Sequence, residues 1–388
     1  MKKRLLMIAA AAILAVTSLA GCSSLNTNAV IIKVNDSEMT ADVANFYARY
    51  TQAQYETYLG AYMSQNGNMW ESEAEEGKTY EESVKESVLE NLEKMLVLEQ
   101  HMEDYNVTLS DDEKKSIADL AKKFDEDNTL ESKEKIFSNT DVVERVLTLM
   151  AVEYKMTDVI QAEADTKVSD KEAAQKSMDY AFFTYTVESE EDADAADEED
   201  AEMTDEEKAA VKEKAESFAT DAKKDSSKFA ELAEQAGVEA TTDTFDAEST
   251  TPDEDLIKAA DALKEGEVTD VIETEEGCYV AVLNSLMDKD ATQAKKDQII
   301  SERQSEHYTE VTDKWLEEAD ITVNENEWAK ISFKDMSVTI KQTEEEPYTD
   351  DIQTDDQAED ADDETEASEG TDDEEELLVE PEDTEAAE

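Results

Sequence analysis

Covalent and acid–base chemistry draws on thiols, imidazoles and positioned carboxylates, and this 388-residue chain holds only 2 cysteines and 2 histidines. Cys22 follows Leu19-Ala20-Gly21 at the end of an apolar amino-terminal run, and Cys278 stands alone far downstream. If Cys22 is consumed in processing of that run, Cys278 has no disulfide partner. His101 and His307 belong to no Cys-x-x-Cys, His-rich or triad pattern, and His101 beside an apolar helical stripe reads as structural. Carboxylates are the opposite case. There are 104 Asp plus Glu against 35 Lys plus Arg, a formal net charge of −69, so acidic pairs arise everywhere and none specifies a general acid and base. The same charge repels nucleic-acid phosphates. With 8 glycines and no glycine-rich phosphate loop, no cofactor is expected. The run Asp192 to Glu202 has the composition of a calcium loop without its turn glycine or ligand spacing. No metal site is assigned, and divalent cations are expected only as loosely bound counter-ions.

The elements that position these groups begin with an export leader. Lys2, Lys3 and Arg4 precede an apolar run from Leu5 to Val16 and then small residues. The end of that leader resembles the lipobox of bacterial lipoproteins, which implies cleavage after residue 21 and a lipid on Cys22. Two acyl chains on one residue anchor stably, each buried CH₂ contributing ~0.8 kcal/mol. The implied location is extracytoplasmic, on the outer face of the cell membrane, with residues 22–29 as a tether.

From there the pattern is mainly helical. Val30 to Val34 reads as a strand, Asn35-Asp36 as a turn, and Thr40 as the N-cap of a helix bearing Val43, Phe46, Tyr47 and Tyr50. Residues 81–105 and 141–163 carry apolar residues three and four apart, and Ser110 starts another helix with acids in its first turn. A further helix is expected from Val168-Ser169-Asp170, leading into the aromatic strand Met178-Asp179-Tyr180-Ala181-Phe182-Phe183. An acidic insert spans 188–207. Helices follow over 208–222 and 227–236, then a loop around Phe245, a short helix from Leu256 to Leu263, and strands over Val268 to Thr274 and Cys278 to Leu283. A long polar helix from about Ala291 to Ala319 and a β-rich patch from Trp328 to Ile340 complete the ordered chain. Residues 343–388 contain no Lys, Arg or His and too little apolar surface to offset ordering entropy, so a disordered acidic tail is expected.

Two regions resemble a known pair of families. Ala29-Val30-Ile31-Ile32-Lys33-Val34-Asn35-Asp36 through Arg49 is similar to the opening strand and turn of the PrsA and SurA extracytoplasmic chaperones, and Leu89 to Glu113 resembles their following helix and turn. Leu256 to Leu283, with Leu256, Ala259, Leu263, Gly266, Glu267, Thr269, Thr274 and Gly277 in place, resembles the last third of a parvulin-type prolyl isomerase domain. The resemblance implies an α+β fold: a helical PrsA/SurA-like domain over 30–175, an inserted parvulin-like domain over 176–287, and residues 288–342 packing back on the helical part. It departs from the family where chemistry would sit. The two facing histidines fall on Ala181 (Tyr180 if the register slips) and Tyr279, and the pocket phenylalanine falls on Asp261.

The implied function is a lipid-anchored foldase or holdase for unfolded exported polypeptides, resembling peptidyl-prolyl isomerases but with weak or lost isomerase activity. Phe182, Phe245, Leu256, Leu263 and Tyr279 are the candidate peptide-binding residues. The alternative is a non-catalytic envelope scaffold or ligand-binding lipoprotein whose acidic tail binds cations or a basic partner.

Overall fold

A computed structural model describes residues 25–60, 68–75, 77–186 and 203–341, with the backbone of 14–18. Cys22, most of the acidic insert and the acidic tail lie outside the described residues, as does the leader apart from that stretch.

Leu14–Ser18 forms β1. The β-branched run Val30–Val34 is β2, and after Asn35, which adopts φ +52° at the turn, Ser37–Thr40 returns as β3. Thr40 then precedes helix α1, Ala41–Tyr58, but its hydroxyl donates to Asp42 Oδ1 at 2.6 Å instead of capping a backbone N–H. A small hairpin, β4 (Glu73–Glu75) and β5 (Lys78–Thr79), leads to α2, Tyr80–Gln100, whose Thr79 and Glu82 form a reciprocal capping box. Ser110 and Glu113 repeat that box at α3, Asp111–Asp127. Leu130–Lys135 is α4, and Asn139 caps α5, Thr140–Gln161. The inward faces of α1, α2, α3 and α5 meet in one core containing Phe46, Leu92, Leu96, Ile117, Phe124 and Leu149, with Phe46 and Phe124 edge to face at 5.3 Å.

The expected helix at Val168 is absent. Ser169 supports a single turn, with Glu172 N–H bonded to its hydroxyl and Ala173 N–H to its carbonyl, before the strand begins. So short a stretch cannot recover the nucleation cost of a helix. Strand β6, Lys176–Thr184, enters the inserted domain, followed by α6 (Asp205–Lys224) and α7 (Phe229–Gln235). Ala240–Phe245 is also a strand, β7, where a loop was expected. Its threonines hid it from apolar alternation, and pairing with β6 supplies the stability it lacks alone. After α8 (Glu254–Asp261), the expected strand Val268 to Thr274 reduces to one bridge at Val268 and a two-residue β8, Ile272–Glu273. β9, Gly277–Ser285, completes a four-stranded antiparallel sheet of order β7-β6-β9-β8.

Helix α9, Lys289–Glu318, carries the chain back to the helical unit. There β10 (Ile321–Val323) pairs with β2, giving a sheet of order β10-β2-β3. The β-rich patch proves to be a helical turn, α10 (Glu325–Trp328), and one strand, β11 (Met336–Ile340), which pairs with β1. The architecture is α+β, a helical unit interrupted by a sheet-based domain.

The α3 cap provides a test. Lys155 of α5 and the Ser110 backbone N–H both bond the Glu113 carboxylate and hold it down to about 2. A depressed acid contributes stability that is present above its unfolded value and lost on acidification. Glu113→Gln is expected to cost about 1 kcal/mol at neutral pH. The gap between variant and wild type in urea melts should close progressively below about pH 5.

Candidate functional site: an aromatic sheet face and a helical groove

Strand alternation sorts the inserted sheet into two faces. Ala181 and Phe183 of β6, with Tyr185 just past its end, join Cys278, Val280 and Val282 of β9 against α6 and α7. Met178, Tyr180 and Phe182 join Tyr279, Ala281 and Leu283 on the other face, against α8. Ala181 and Tyr279 therefore cannot form a facing pair, because they lie on opposite sides of the sheet. This corrects the placement of the first family position on Ala181. The one-residue shift to Tyr180 brings it to Tyr279's side, with ring centroids 5.9 Å apart. Phe182 stacks still closer on Tyr279, at 4.3 Å with an interplanar angle of 27°.

The other candidates divide by burial. Phe245 and Leu256 have no exposed surface and are core residues beneath this face, not contacts for a peptide. Leu263 and Phe182 are half-buried beside Tyr279, and Ile272, which sequence patterning did not single out, joins them at the rim. Asp261 is held at the edge, where Lys176 Nζ bonds its backbone carbonyl at 2.6 Å and its carboxylate at 2.9 Å. Burial, followed by the neighbouring Asp253, Tyr180 and Glu276, pushes the Tyr279 hydroxyl up, so it is a neutral phenol at physiological pH. Tyr279 is itself buried, 8% exposed, beneath the Phe182 ring, and the face presents no imidazole.

Gly277 permits the stacking. A Cβ there would lie 2.3 Å from the Phe183 carbonyl oxygen and 2.8 Å from the Phe182 ring. Behind the sheet, Cys278 is free and fully buried, and its thiol lies 3.2 Å from the Tyr185 hydroxyl. Burial raises that thiol, which makes it unreactive.

Both histidines lie far along the chain architecture from this face, in the helical unit. His101 stacks on Trp315 of α9 at 4.0 Å and bonds Asp104, while His307 Nε2 is 3.9 Å from Glu163. Among the described residues, no three His, Cys, Asp or Glu side chains gather to hold a metal ion. The acidic stretches expected to attract loose cations lie almost wholly outside those residues.

The helical unit offers a second concavity, a groove of about 630 Å³ between α1, α2 and α9. Tyr47, Val84, Val88, Tyr308, Leu316 and Ile321 supply its apolar surface. Asn91 donates to the Tyr47 hydroxyl at 2.6 Å, and burial pushes that phenol up to about 12. Sequence periodicity places Tyr47, Val84 and Val88 on helical stripes, but only the return of α9 brings Tyr308, Leu316 and Ile321 beside them.

Residues 195–285 match the family of PPIC-type PPIase, or rotamase, domains. That match falls within the inserted unit, with its four-stranded sheet and flanking helices. The expected α+β organisation, a helical unit interrupted by a sheet-based one, is the one observed. Solved structures similar to the chain include the foldase PrsA of Lactococcus lactis, at 16% identity over 78% of this chain and 97% of that one, with a TM-score of 0.34. PrsA of Streptococcus pneumoniae is 20% identical over 67% and 98%, with a TM-score of 0.29. A structure of the SurA-like chaperones PEB4 and Cj1289 of Campylobacter jejuni is 11% identical over 76% and 99%, with a TM-score of 0.27. A search of curated proteins returned no match. Among the described residues, no helix is long and apolar enough to cross a membrane.

Gly277→Ala should force Phe182 off Tyr279 and strain β6, costing about 1 to 3 kcal/mol. Denaturant unfolding checks the loss, and near-ultraviolet circular dichroism checks the disturbed ring stack.

Proposed function

We propose that the chain is an extracytoplasmic folding factor, tethered to the membrane by lipid on Cys22, that holds unfolded exported polypeptides and has lost most prolyl-isomerase activity. Residues 1–21 act as the leader, 22–29 as the tether, 30–175 with 288–342 as the helical chaperone body, and 343–388 as an acidic solubilising tail. Removal of the leader takes β1 away and leaves β11 held by α1, where Glu56 bonds Val338 N–H at 2.8 Å and Thr57 bonds Ile340 N–H at 2.8 Å.

The observation that carries the catalytic half of this reading is the pair Tyr180 and Tyr279 on one sheet face, where the resemblance implies two histidines. Rotating an X-Pro bond crosses a barrier of about 18 to 20 kcal/mol, and a catalyst must favour the twisted amide over the planar one. Phe182 stacks on Tyr279, which is buried, so neither ring is aimed at a twisted amide, and this supports loss of turnover. The helical groove supports the holding half, since half-buried aromatic and aliphatic side chains there present apolar surface to an extended chain.

Three measurements test it. At stoichiometric ratio the chain should suppress aggregation of an unfolding exported protein, and absence of suppression removes the chaperone reading. Isomerisation of a proline-containing test peptide should run within a few-fold of the uncatalysed rate, and robust turnover removes the claim of lost activity. Labelled palmitate should be incorporated in the wild type and not in Cys22→Ser, and equal labelling removes the anchor.

A further inference from the structure

The groove between α1, α2 and α9 carries a charge pattern that its apolar surface does not explain. Three carboxylates line it, Glu90 and Glu93 from α2 and Asp313 from α9, against a single amine, Lys94. None of the three makes a hydrogen bond or ion pair with another described residue. Elsewhere carboxylates with a base in reach are engaged, as at Glu113 with Lys155, Asp261 with Lys176 and Glu273 with Lys212, while others, such as Asp112 and Asp119, face solvent unpaired; the groove's acids differ in lining apolar surface. Lys94 does not neutralise the rim. Its ammonium lies 5.9 Å from the centroid of the Tyr308 ring, and its charge acts on the partly buried Glu153. Glu93 is half-buried, and desolvation, together with the charges of Glu90 and Glu325, works against its ionised form.

We propose that this groove selects extended client segments in which Lys or Arg alternates with aliphatic or aromatic side chains. The inference rests on the reading of the chain as a binder of unfolded polypeptides, and adds the class of segment. The geometry suits such a segment. Successive side chains of an extended peptide point to opposite sides, so one set can pack on Tyr47, Tyr308 and Leu316 while the other reaches Glu90, Glu93 and Asp313 at the rim. A client cation offsets the repulsion around Glu93, and an acidic segment adds to it. The net charge of −69 extends the same preference to the approach of the client.

The test uses the full chain and three labelled peptides with one apolar frame, carrying lysine, glutamine or glutamate at the alternating positions. In fluorescence anisotropy at low salt, the lysine peptide should bind at least ten-fold more tightly than the glutamate peptide, and the advantage should shrink as salt rises. Glu93→Gln combined with Asp313→Asn should reduce that preference several-fold and leave the glutamine peptide's affinity unchanged. Tyr308→Ala should weaken all three peptides together. Equal binding of the three overturns the inference and leaves the chaperone reading intact. A preference that survives the Glu93/Asp313 pair of substitutions also overturns it, by placing the selectivity outside the groove. Failure of every peptide to bind, with no suppression of aggregation, overturns both readings.

Discussion

The pairing of β10 with β2 joins segments almost three hundred residues apart, and the rest of the molecule depends on that closure. Val34 and Ile321 face each other across it, and Asn35 completes the lock. Its N–H bonds the Asp320 carbonyl at 2.8 Å, while its side-chain oxygen accepts from Asp320 N–H at 2.9 Å. Once the strand ends are fixed in this way, α9 must run back along the helical unit, where Trp315 stacks on His101 and Tyr308 meets the faces of α1 and α2. The groove follows from this closure, since neither α9 nor Ile321 would otherwise flank Tyr47.

The same return fixes how the inserted domain is attached. Its entry and exit lie side by side: Gln175 N–H bonds the Thr292 hydroxyl at 3.1 Å, and Asp288 N–H bonds the Gln175 carbonyl at 2.7 Å. A module held by two adjacent strands of chain can change its surface without disturbing its host. One face of its central strands is packed by Ala181, Phe183 and Val280, and the other carries the rings of Tyr180, Phe182 and Tyr279. Gly277 and the Phe182–Tyr279 stack are parts of one arrangement, because the ring occupies the space a side chain would need.

Electrostatics separates the ordinary acidic surface from the groove. In most places where an acid neighbours a described base the two are joined, often across elements, as Lys133 with Asp125 or Lys155 with Glu113, and these contacts fasten helices together. Exposed pairs of this kind add little stability individually. The unjoined acids of the groove differ in lying over apolar surface, in a position where a ligand's cation replaces water and an aromatic floor holds its aliphatic stem.

Helix starts and inward faces were legible because they are local. Ser110 with Glu113 caps α3 as its spacing requires, and the three-and-four periodicity of Val84, Val88, Leu92 and Met95 gives the buried side of α2. The α+β organisation and the absence of histidine from the sheet of the inserted unit were legible too, since the two histidines, His101 and His307, lie outside its segments in sequence. The strand over Ala240–Phe245 was hidden because polar threonines show no alternation, and the false helix at Val168 because a single capped turn imitates a longer start. The choice between Ala181 and Tyr180 was beyond sequence reasoning because both β6 faces carry aromatic residues, and a shift by one residue exchanges them. Sequence alone thus determined the segments, their apolar periodicity and the chemistry they lack. The tertiary structure decided the sheet register and which distant side chains share a groove, because hydrogen-bond pairing and helix return act between residues whose separation along the chain no local pattern encodes.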